Sequence, residues 1–372
     1  MGNQNRLFRL SDEFGQSPWL DNLKRDYVTS GKLIEVRDSG VRGLTSNPTI
    51  FQKAIQGSGD YDEQFALLAG GRIPIDLYWD LVLQDIDGAL DVFAPIFHDS
   101  RGRDGFVSVE VDPGLAHDED ATESAARILH ERVGRPNVMI KIPATVEGIG
   151  AIRTMIGEGR SVNVTLIFSL ERYQKVMNAY IEGLELLAAK TTGSLSGVAS
   201  VASFFISRID SEIDRLLNLE GSPKALALRG TAAIAQAKLA YQQFVATFSG
   251  PRWAALANRG AQLQRPLWAS TSTKNPDYPD TMYVDNLIGP DSVNTLPDST
   301  LAAFADHGNL ARTIDLNVEL AAAQWAALGT VGVDVAAVAM QLEREGVSSF
   351  QKSFDDLIAA LTTKAAELSK QS

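Results

Sequence analysis

A lysine lies within the apolar segment 137–145, which reads NVMIKIPAT. The pattern predicts a short buried strand with three β-branched apolar side chains on one face and Met139 and Lys141 on the other. Because a charged amine is costly to bury, we expect the pKa of Lys141 to fall and part of the amine to be neutral. A neutral amine is the nucleophile that forms a Schiff base with a carbonyl. The alternative is a lysine at the strand end whose ammonium group reaches solvent or an ion pair, since lysine is rarely fully buried.

Polar side chains also occur near the ends of the other predicted strands. They are Asp21, Asn47, Glu110, Asn163, Thr165, Ser203 and Ser270. Each has an ordinary structural explanation, because an acid before a turn usually caps a helix and a hydroxyl residue in a strand is usually just packed. As a set, they would meet Lys141 at the carboxyl ends of parallel barrel strands, where barrel active sites form. An amine, two carboxylates and several hydrogen-bonding groups at one mouth predict an active site.

Two cationic residues follow predicted strands on the same side. Arg208 comes after the sixth strand and Lys274 after the seventh. Phosphate sites of barrels commonly lie after strands seven and eight, so Ser270, Lys274 and Arg208 predict a phosphate clamp. The alternative is that both cations are ordinary surface charges. The sequence has no G-x-x-x-x-G-K-[ST] loop and no G-x-G-x-x-G motif after the first strand, so nucleotide binding has no support.

Eight segments are predicted as the strands that position these residues. They span residues 17–21, 41–46, 106–111, 137–145, 161–168, 197–205, 265–271 and 292–296. Helical patterns separate them, including one from 49 to about 97 with breaks near Gly70, Gly71 and Pro74. Three more helices follow the last strand, at 298–306, 309–328 and 334–369, the last with a break near Gly346. This alternation predicts an α/β protein, a (β/α)8 TIM barrel that spans residues 1–372 as a single domain with additional N- and C-terminal helices.

The composition excludes several other classes of protein. The 372 residues carry 34 basic and 46 acidic side chains, and this net charge of -12 argues against a nucleic-acid or anionic-membrane surface. There is no cysteine, which rules out disulfides and thiolate chemistry, and the four histidines show no metal-site spacing. We therefore expect no metal and no cofactor. The N-terminus lacks an apolar signal segment and no run of about 18 apolar residues occurs, so we expect a cytoplasmic protein.

Four motifs occur in the order found in one enzyme family. Residues 43–51 read GLTSNPTIF and resemble its G-V-T-[ST]-N-P signature, and residues 140–145 read IKIPAT and resemble its Schiff-base strand. Residues 163–169, NVTLIFS, match its N-x-T-L-x-F-S strand, and residues 203–208, SFFISR, match its S-x-F-x-x-R segment. The chain is thereby similar to the transaldolases, and in particular to the longer bacterial branch of that family, from about Ser17 to the C-terminal helices.

The resemblance implies a role for each catalytic candidate. Lys141 would attack the C2 carbonyl of a ketose phosphate. Glu110 and Thr165 would hold the water that carries protons while the adduct loses water to form an iminium ion. Asp21 would take the proton from the C4 hydroxyl group, so that the bond between C3 and C4 breaks.

Binding roles follow from the same resemblance. Asn47 and Asn163 would hold hydroxyl groups of the three-carbon unit, which stays attached to the lysine until an aldose phosphate accepts it. Phe205, on the same strand as Ser203, would help to keep bulk water away from the enamine.

The phosphate end departs from the family pattern. Ser272 stands two residues after Ser270, where many family members place an arginine that binds phosphate. We expect Lys274 to substitute for it, although lysine binds as a point charge and lacks the fork of an arginine. Phosphate binding through Arg208 and Ser270 is therefore better supported than the contact with Lys274.

The implied activity is that of a class I transaldolase of the pentose phosphate pathway. This transferase moves a dihydroxyacetone unit from sedoheptulose 7-phosphate to glyceraldehyde 3-phosphate, giving erythrose 4-phosphate and fructose 6-phosphate. Two alternatives stay open: a fructose 6-phosphate aldolase that releases free dihydroxyacetone, and a barrel that binds sugar phosphates without turnover. Small-molecule sugar phosphates are the expected partners in all three cases. Apolar residues around Ala360 also indicate that the last helix packs against the barrel, with the mouth as a candidate position.

Overall fold

The computed structural model describes residues 5–68 and 72–369. Eight parallel strands follow one another around a closed barrel, and the first strand pairs with the last. The strands are β1 (Gln16–Asp21), β2 (Leu44–Thr45), β3 (Val107–Glu110), β4 (Val138–Pro143), β5 (Val162–Ile167), β6 (Ser200–Phe205), β7 (Gln264–Ala269) and β8 (Ser292–Leu296). The predicted (β/α)8 barrel is confirmed.

Helices surround the barrel and extend beyond it at both ends of the chain. They are α1 (Arg6–Phe14), α2 (Arg25–Thr29), α3 (Lys32–Asp38), α4 (Pro48–Gly57), α5 (Asp62–Leu68), α6 (Pro74–Asp99), α7 (Glu119–Val133), α8 (Val146–Gly157), α9 (Leu170–Lys190), α10 (Ser207–Glu220), α11 (Pro223–Leu226), α12 (Ala232–Thr247), α13 (Pro251–Ala257), α14 (Met282–Asp285), α15 (Asp298–His307), α16 (Val318–Thr330) and α17 (Val335–Ser369). A 3-10 turn, Pro113–Leu115, follows β3. Because α1 precedes the first strand and α16 and α17 follow the barrel, the predicted additional terminal helices are also confirmed.

Short connections with capping side chains carry the strands into the helices. Asn47 Oδ1 accepts a hydrogen bond from Ile50 N at 3.0 Å and so begins α4, with Pro48 at its first position. Thr145 Oγ1 accepts from Gly148 N at 3.0 Å and begins α8 only two residues after β4 ends. Such caps satisfy amide groups that a helix leaves without partners at its start. The carboxyl ends of the strands and the starts of these helices therefore meet at one mouth.

Most of the strands are shorter than predicted by one to four residues, and the largest differences are in β2 and in the helix predicted at 309–328. β2 has only two residues, Leu44 and Thr45, of the six predicted at 41–46, and the chain turns into α4 at its cap Asn47. The helix predicted at 309–328 begins only at Val318. Before it, Thr313 N and Ile314 N donate to Ile288 O, so this backbone bonds to another segment rather than to itself.

The interruptions predicted in the helical regions were partly wrong. Residues 49–68 form two helices, α4 and α5, and Pro74 begins α6; the break expected at Gly70 and Gly71 lies outside the described residues. The break predicted near Gly346 was wrong, since α17 continues through this position as one helix of 35 residues. A Cβ atom at Gly346 would lie 2.9 Å from Leu166 Cδ2, so the glycine allows the helix to approach the end of β5 closely.

The long helix α17 lies across the mouth of the barrel. It contacts α4, α10, β5 and the 3-10 turn Pro113–Leu115, all of which border the carboxyl ends of the strands. The last helix therefore lies over the mouth, which the sequence offered only as a candidate position. In the part of the chain that the structure describes, no single helix is long and apolar enough to cross a membrane; α16 and α17 reach that length and hydropathy only together, across a bend of 92°.

Candidate active site

The side chain of Lys141 lies buried inside the barrel. In the ladder of neighbouring strands, Lys141 pairs with Glu110 on β3 and with Asn163 on β5, so these three side chains form one row. Lys141 Nζ donates a hydrogen bond to Ser46 O at 3.1 Å and lies 3.2 Å from Glu110 Oε2. The amine therefore does not reach solvent from a strand end, and its ionic partner is another buried group of the same row.

Glu110 and Thr165 carry buried oxygen atoms that lack a hydrogen-bond partner. Glu110 Oε2 is close to Lys141 Nζ, but the contact lacks hydrogen-bond geometry, and Thr165 Oγ1 has no partner among the described residues. Burial raises the pKa of Glu110 above its usual range, and the Lys141 ammonium group opposes this rise in part. Buried polar atoms are nearly always bonded to protein or water, so these two atoms are candidates to hold a water molecule or a ligand.

Asp21 ends β1 at the same mouth. Thr45, its ladder partner on β2, donates a hydrogen bond to Asp21 Oδ1 at 2.8 Å, and Thr45 Oγ1 lies 2.6 Å from Thr295 Oγ1. The carboxyl group keeps some exposure to solvent but is enclosed by the barrel, and this burial raises its pKa, while Lys141 opposes the rise. A carboxylate with a raised pKa can accept a proton near neutral pH.

A hydrogen-bond chain fixes Asn163. Ser203 Oγ donates to Asn163 Oδ1 at 2.7 Å, and Asn163 Nδ2 donates to Ser108 Oγ at 3.0 Å. All three residues are buried. Asn47 differs, because its side-chain oxygen is used as the cap of α4, which leaves Nδ2 as the donor for a ligand.

A cavity of about 320 Å³ opens at this mouth. All the predicted site residues line it except Glu110 and Asn163, which belong to the buried row beside Lys141. Its lining also includes Ser272 and residues that the sequence did not single out: Thr45, Thr49, Ile50, Lys53, Ala269, Thr295, Pro297, Ser349 and Phe350. Another cavity of about 340 Å³, beside α9 and α17, contains none of the predicted residues.

Cations cluster on one side of the cavity. Arg208, in the first turn of α10, places its guanidinium group 5.2 Å from the ring centroid of Phe205. Lys274 Nζ donates to Ser272 Oγ at 2.6 Å, and burial together with the charge of Arg208 lowers the pKa of Lys274. Lys53 also lines the cavity and contributes to that lowering. Arg208 and Lys274 therefore border the same cavity, which favours the predicted phosphate clamp over the alternative of two ordinary surface charges.

Ser270 lies beside these cations in an uncommon backbone conformation. Its φ is +56°, in the left-handed region that residues other than glycine rarely adopt, and its Oγ lies 2.9 Å from Ser207 Oγ. Such strain costs on the order of 1–3 kcal/mol and is concentrated at functional sites. The conformation supports a binding role for the turn after β7.

Two sets of cavity residues escaped the sequence analysis for different reasons. Thr49, Ile50 and Lys53 share one face of α4, so the helical spacing after Asn47 was a signal that could have revealed them. Along the chain, Phe350 is more than a hundred residues from Phe205 and Arg208, the nearest aromatic and guanidinium groups of the site. Only the packing of α17 brings its ring to the cavity.

The fold and this site define a class of protein, a (β/α)8 barrel enzyme whose polar groups meet at the carboxyl ends of the strands. Residues 18–361 match the family model described as Transaldolase/Fructose-6-phosphate aldolase. The chain belongs to that family.

Curated relatives agree over nearly the whole chain. Transaldolase 1 of Streptomyces avermitilis is 50% identical over 361 residues, which cover 96% of this chain and 95% of the relative. Transaldolase 1 of Streptomyces coelicolor is 50% identical over 360 residues, covering 96% and 94% of the two chains. A transaldolase of a Parafrankia species is 50% identical over 347 residues, covering 92% and 94%.

Proposed function

We propose that this protein is a transaldolase that moves a dihydroxyacetone unit from sedoheptulose 7-phosphate to glyceraldehyde 3-phosphate. The observation that carries the proposal is the buried amine of Lys141. It borders the cavity at the mouth, and its nitrogen lies 3.2 Å from Glu110 Oε2. The relatives named Transaldolase support the same reaction. The enzyme would act in the pentose phosphate pathway, and sugar phosphates would be its only substrates.

The first step forms a covalent adduct on Lys141. Its nitrogen adds to the C2 carbonyl of the ketose phosphate, and loss of water gives an iminium ion. Glu110 and Thr165 hold the water that carries protons in this step, which suits their buried oxygen atoms without hydrogen-bond partners. Burial raises the pKa of Glu110 above its usual range, which brings its carboxyl group closer to the pH at which it would exchange protons with this water.

The second step breaks the bond between C3 and C4. Asp21 takes the proton of the C4 hydroxyl group, an aldose phosphate leaves, and the bonding electrons pass to the iminium nitrogen as an enamine forms. The raised pKa of Asp21 suits a base of this kind. Asn47 and Asn163 hold hydroxyl groups of the three-carbon unit, and Ser203 keeps the Asn163 amide in its orientation.

The phosphate group binds among the cations at the cavity rim. Arg208, Ser270 and Lys274 are the predicted ligands, and Lys53 adds a fourth group on the same cavity. Ser272 occupies the position at which many family members have an arginine. Here the ammonium groups of Lys53 and Lys274 would bind the phosphate in place of that arginine's guanidinium group.

Two expectations about the whole protein belong to this proposal. Pairing of β1 with β8 joins both ends of the barrel, which supports a single domain over residues 1–372. A cytoplasmic location is the second of these expectations.

A test of acceptor dependence separates this function from its alternatives. With fructose 6-phosphate and erythrose 4-phosphate, the protein should form sedoheptulose 7-phosphate and glyceraldehyde 3-phosphate. Without the acceptor, free dihydroxyacetone should appear much more slowly. Rapid stoichiometric release of dihydroxyacetone would instead make the protein an aldolase, and no product under either condition would leave only sugar-phosphate binding.

A further inference from the structure

One aromatic ring of the C-terminal helix reaches the reactive amine. Phe350 is 4% exposed and lines the cavity. Its ring centroid lies 5.8 Å from Lys141 Nζ and 5.9 Å from the guanidinium carbon of Arg208. The ring therefore contacts both the proposed nucleophile and the proposed phosphate site.

The rest of the helix holds this ring in place. Gly346, one turn before Phe350, allows α17 to approach Leu166 and Arg208, where a Cβ atom would meet their side chains at 2.9 Å and 3.5 Å. Ser353, one turn after it, has its Oγ 2.8 Å from Thr49 Oγ1 on α4. These three positions lie on one face of the helix, and that face covers the mouth.

We propose that Phe350, in addition to Phe205, excludes bulk solvent from the three-carbon intermediate and so favours its transfer over its release. The inference rests on the proposed Schiff-base function. After cleavage, the dihydroxyacetone unit is an enamine whose nitrogen is that of Lys141 and whose nucleophilic carbon is C3. In transfer, C3 forms a bond with the aldehyde carbon of the acceptor, and the aldehyde oxygen takes up a proton.

In release, C3 takes a proton from solvent instead. Either route then leaves an iminium ion, to which water adds at C2; the bond between C2 and nitrogen breaks, and the product ketone and the free amine result. The water near Glu110 and Thr165 serves this last step in both routes. Only the proton delivered to C3 distinguishes them, and a buried ring over the amine keeps solvent from supplying it.

The test compares two phenylalanines of the same helix. Phe354 is also 4% exposed, but it packs against Tyr78 with ring centroids 4.9 Å apart and does not line the cavity. For each variant, the rate of dihydroxyacetone release without an acceptor is divided by the rate of transfer to erythrose 4-phosphate. We expect Phe350→Ala to raise this ratio about tenfold and Phe350→Leu to raise it less, because removing the ring admits solvent. We expect Phe354→Ala to lower the melting temperature and leave the ratio unchanged.

An unchanged ratio in Phe350→Ala, or an equal rise in Phe354→Ala, would overturn the inference. If Phe350→Ala does not fold, Phe350→Leu decides, and a ratio equal to that of the parent protein refutes the role of the ring. A parent protein without transfer activity would refute the proposed function itself. A parent that transfers normally, with a ratio insensitive to residue 350, would refute this inference alone.

Discussion

The two ends of the barrel each bury an ion pair, and the two pairs are built differently. At the amino-terminal end, Asp104 accepts hydrogen bonds from Ser17 Oγ at 2.8 Å, Trp19 Nε1 at 3.2 Å and Arg265 Nη2 at 3.0 Å. Arg265 donates further to Ser17 Oγ at 2.9 Å and to Arg103 O at 2.6 Å. Both members of this pair use several protein partners.

At the carboxyl-terminal end, the pair of Glu110 and Lys141 has fewer partners. Lys141 has one hydrogen bond, to Ser46 O, while Glu110 Oε2 and Thr165 Oγ1 lack hydrogen bonds within the described residues. Buried polar atoms are nearly always bonded to protein or water, so these two oxygen atoms are available to a bound water molecule or a ligand. The difference supports the proposal that the Glu110–Lys141 pair takes part in the reaction, whereas the Asp104–Arg265 pair stabilises the fold.

Removing Lys141 should have the largest effect on activity. We expect Lys141→Ala to lower kcat/KM by more than about 10⁴-fold, because no other group supplies the nucleophile. The fold should survive, since burial raises the pKa of Glu110 and so favours its neutral form once the amine that opposes this rise is removed. Enzyme assays together with thermal melts check both outcomes, and a variant that fails to fold would make Lys141 structural.

Breaking the other pair should instead reduce stability. We expect Arg265→Ala to lower the free energy of unfolding by about 3–5 kcal/mol, because buried Asp104 would lose its paired guanidinium group and keep only the more distant Arg42, whose Nε lies 3.7 Å away. Arg103→Ala is the matched control, since its pair with Asp291 is exposed and should contribute at most about 1 kcal/mol. Urea denaturation measures both. Equal losses, or a loss of activity in folded Arg265→Ala without destabilisation, would contradict the division between the two ends.

Asp21 should determine how kcat depends on pH. A base acts only when ionised, and burial raises the pKa of Asp21, so kcat should fall with decreasing pH already above the ordinary carboxyl pKa of about 4. In Asp21→Asn, kcat should drop about 10²–10⁴-fold and this acidic limb should disappear. A parent profile that stays flat down to about pH 4 would exclude a raised pKa for the essential base.

The lysines at the cavity rim should have the smallest effects. We expect Lys274→Ala to raise KM for sugar phosphates about tenfold, and Lys53→Ala to raise it less, with kcat little changed, because each removes one cation from the phosphate site. Lys175→Ala is the control, since Lys175 pairs with Glu171 away from this mouth. A KM in Lys274→Ala equal to that of the control would leave Arg208 and Ser270 as the phosphate ligands.

The sequence predicted the barrel and most of the mouth because both depend on local patterns. Alternating strands and helices place the residues at strand ends together whatever the details of packing, so Lys141, Asp21 and Arg208 could be found from their positions alone. Phe350 could not, because its place depends on how α17 crosses the barrel. Gly346 shows the same limit: a glycine that suggests a helix break can also be a point of close packing within a continuous helix.

Reductive trapping tests the central claim most directly. Borohydride converts an iminium ion into a stable secondary amine, so treatment in the presence of fructose 6-phosphate should attach a sugar-derived unit to Lys141 and inactivate the protein. Mass spectrometry of the peptides locates the adduct, and Lys53 and Lys274, which line the same cavity, should stay unmodified. An unmodified chain, or an adduct on those lysines instead of Lys141, would contradict the account.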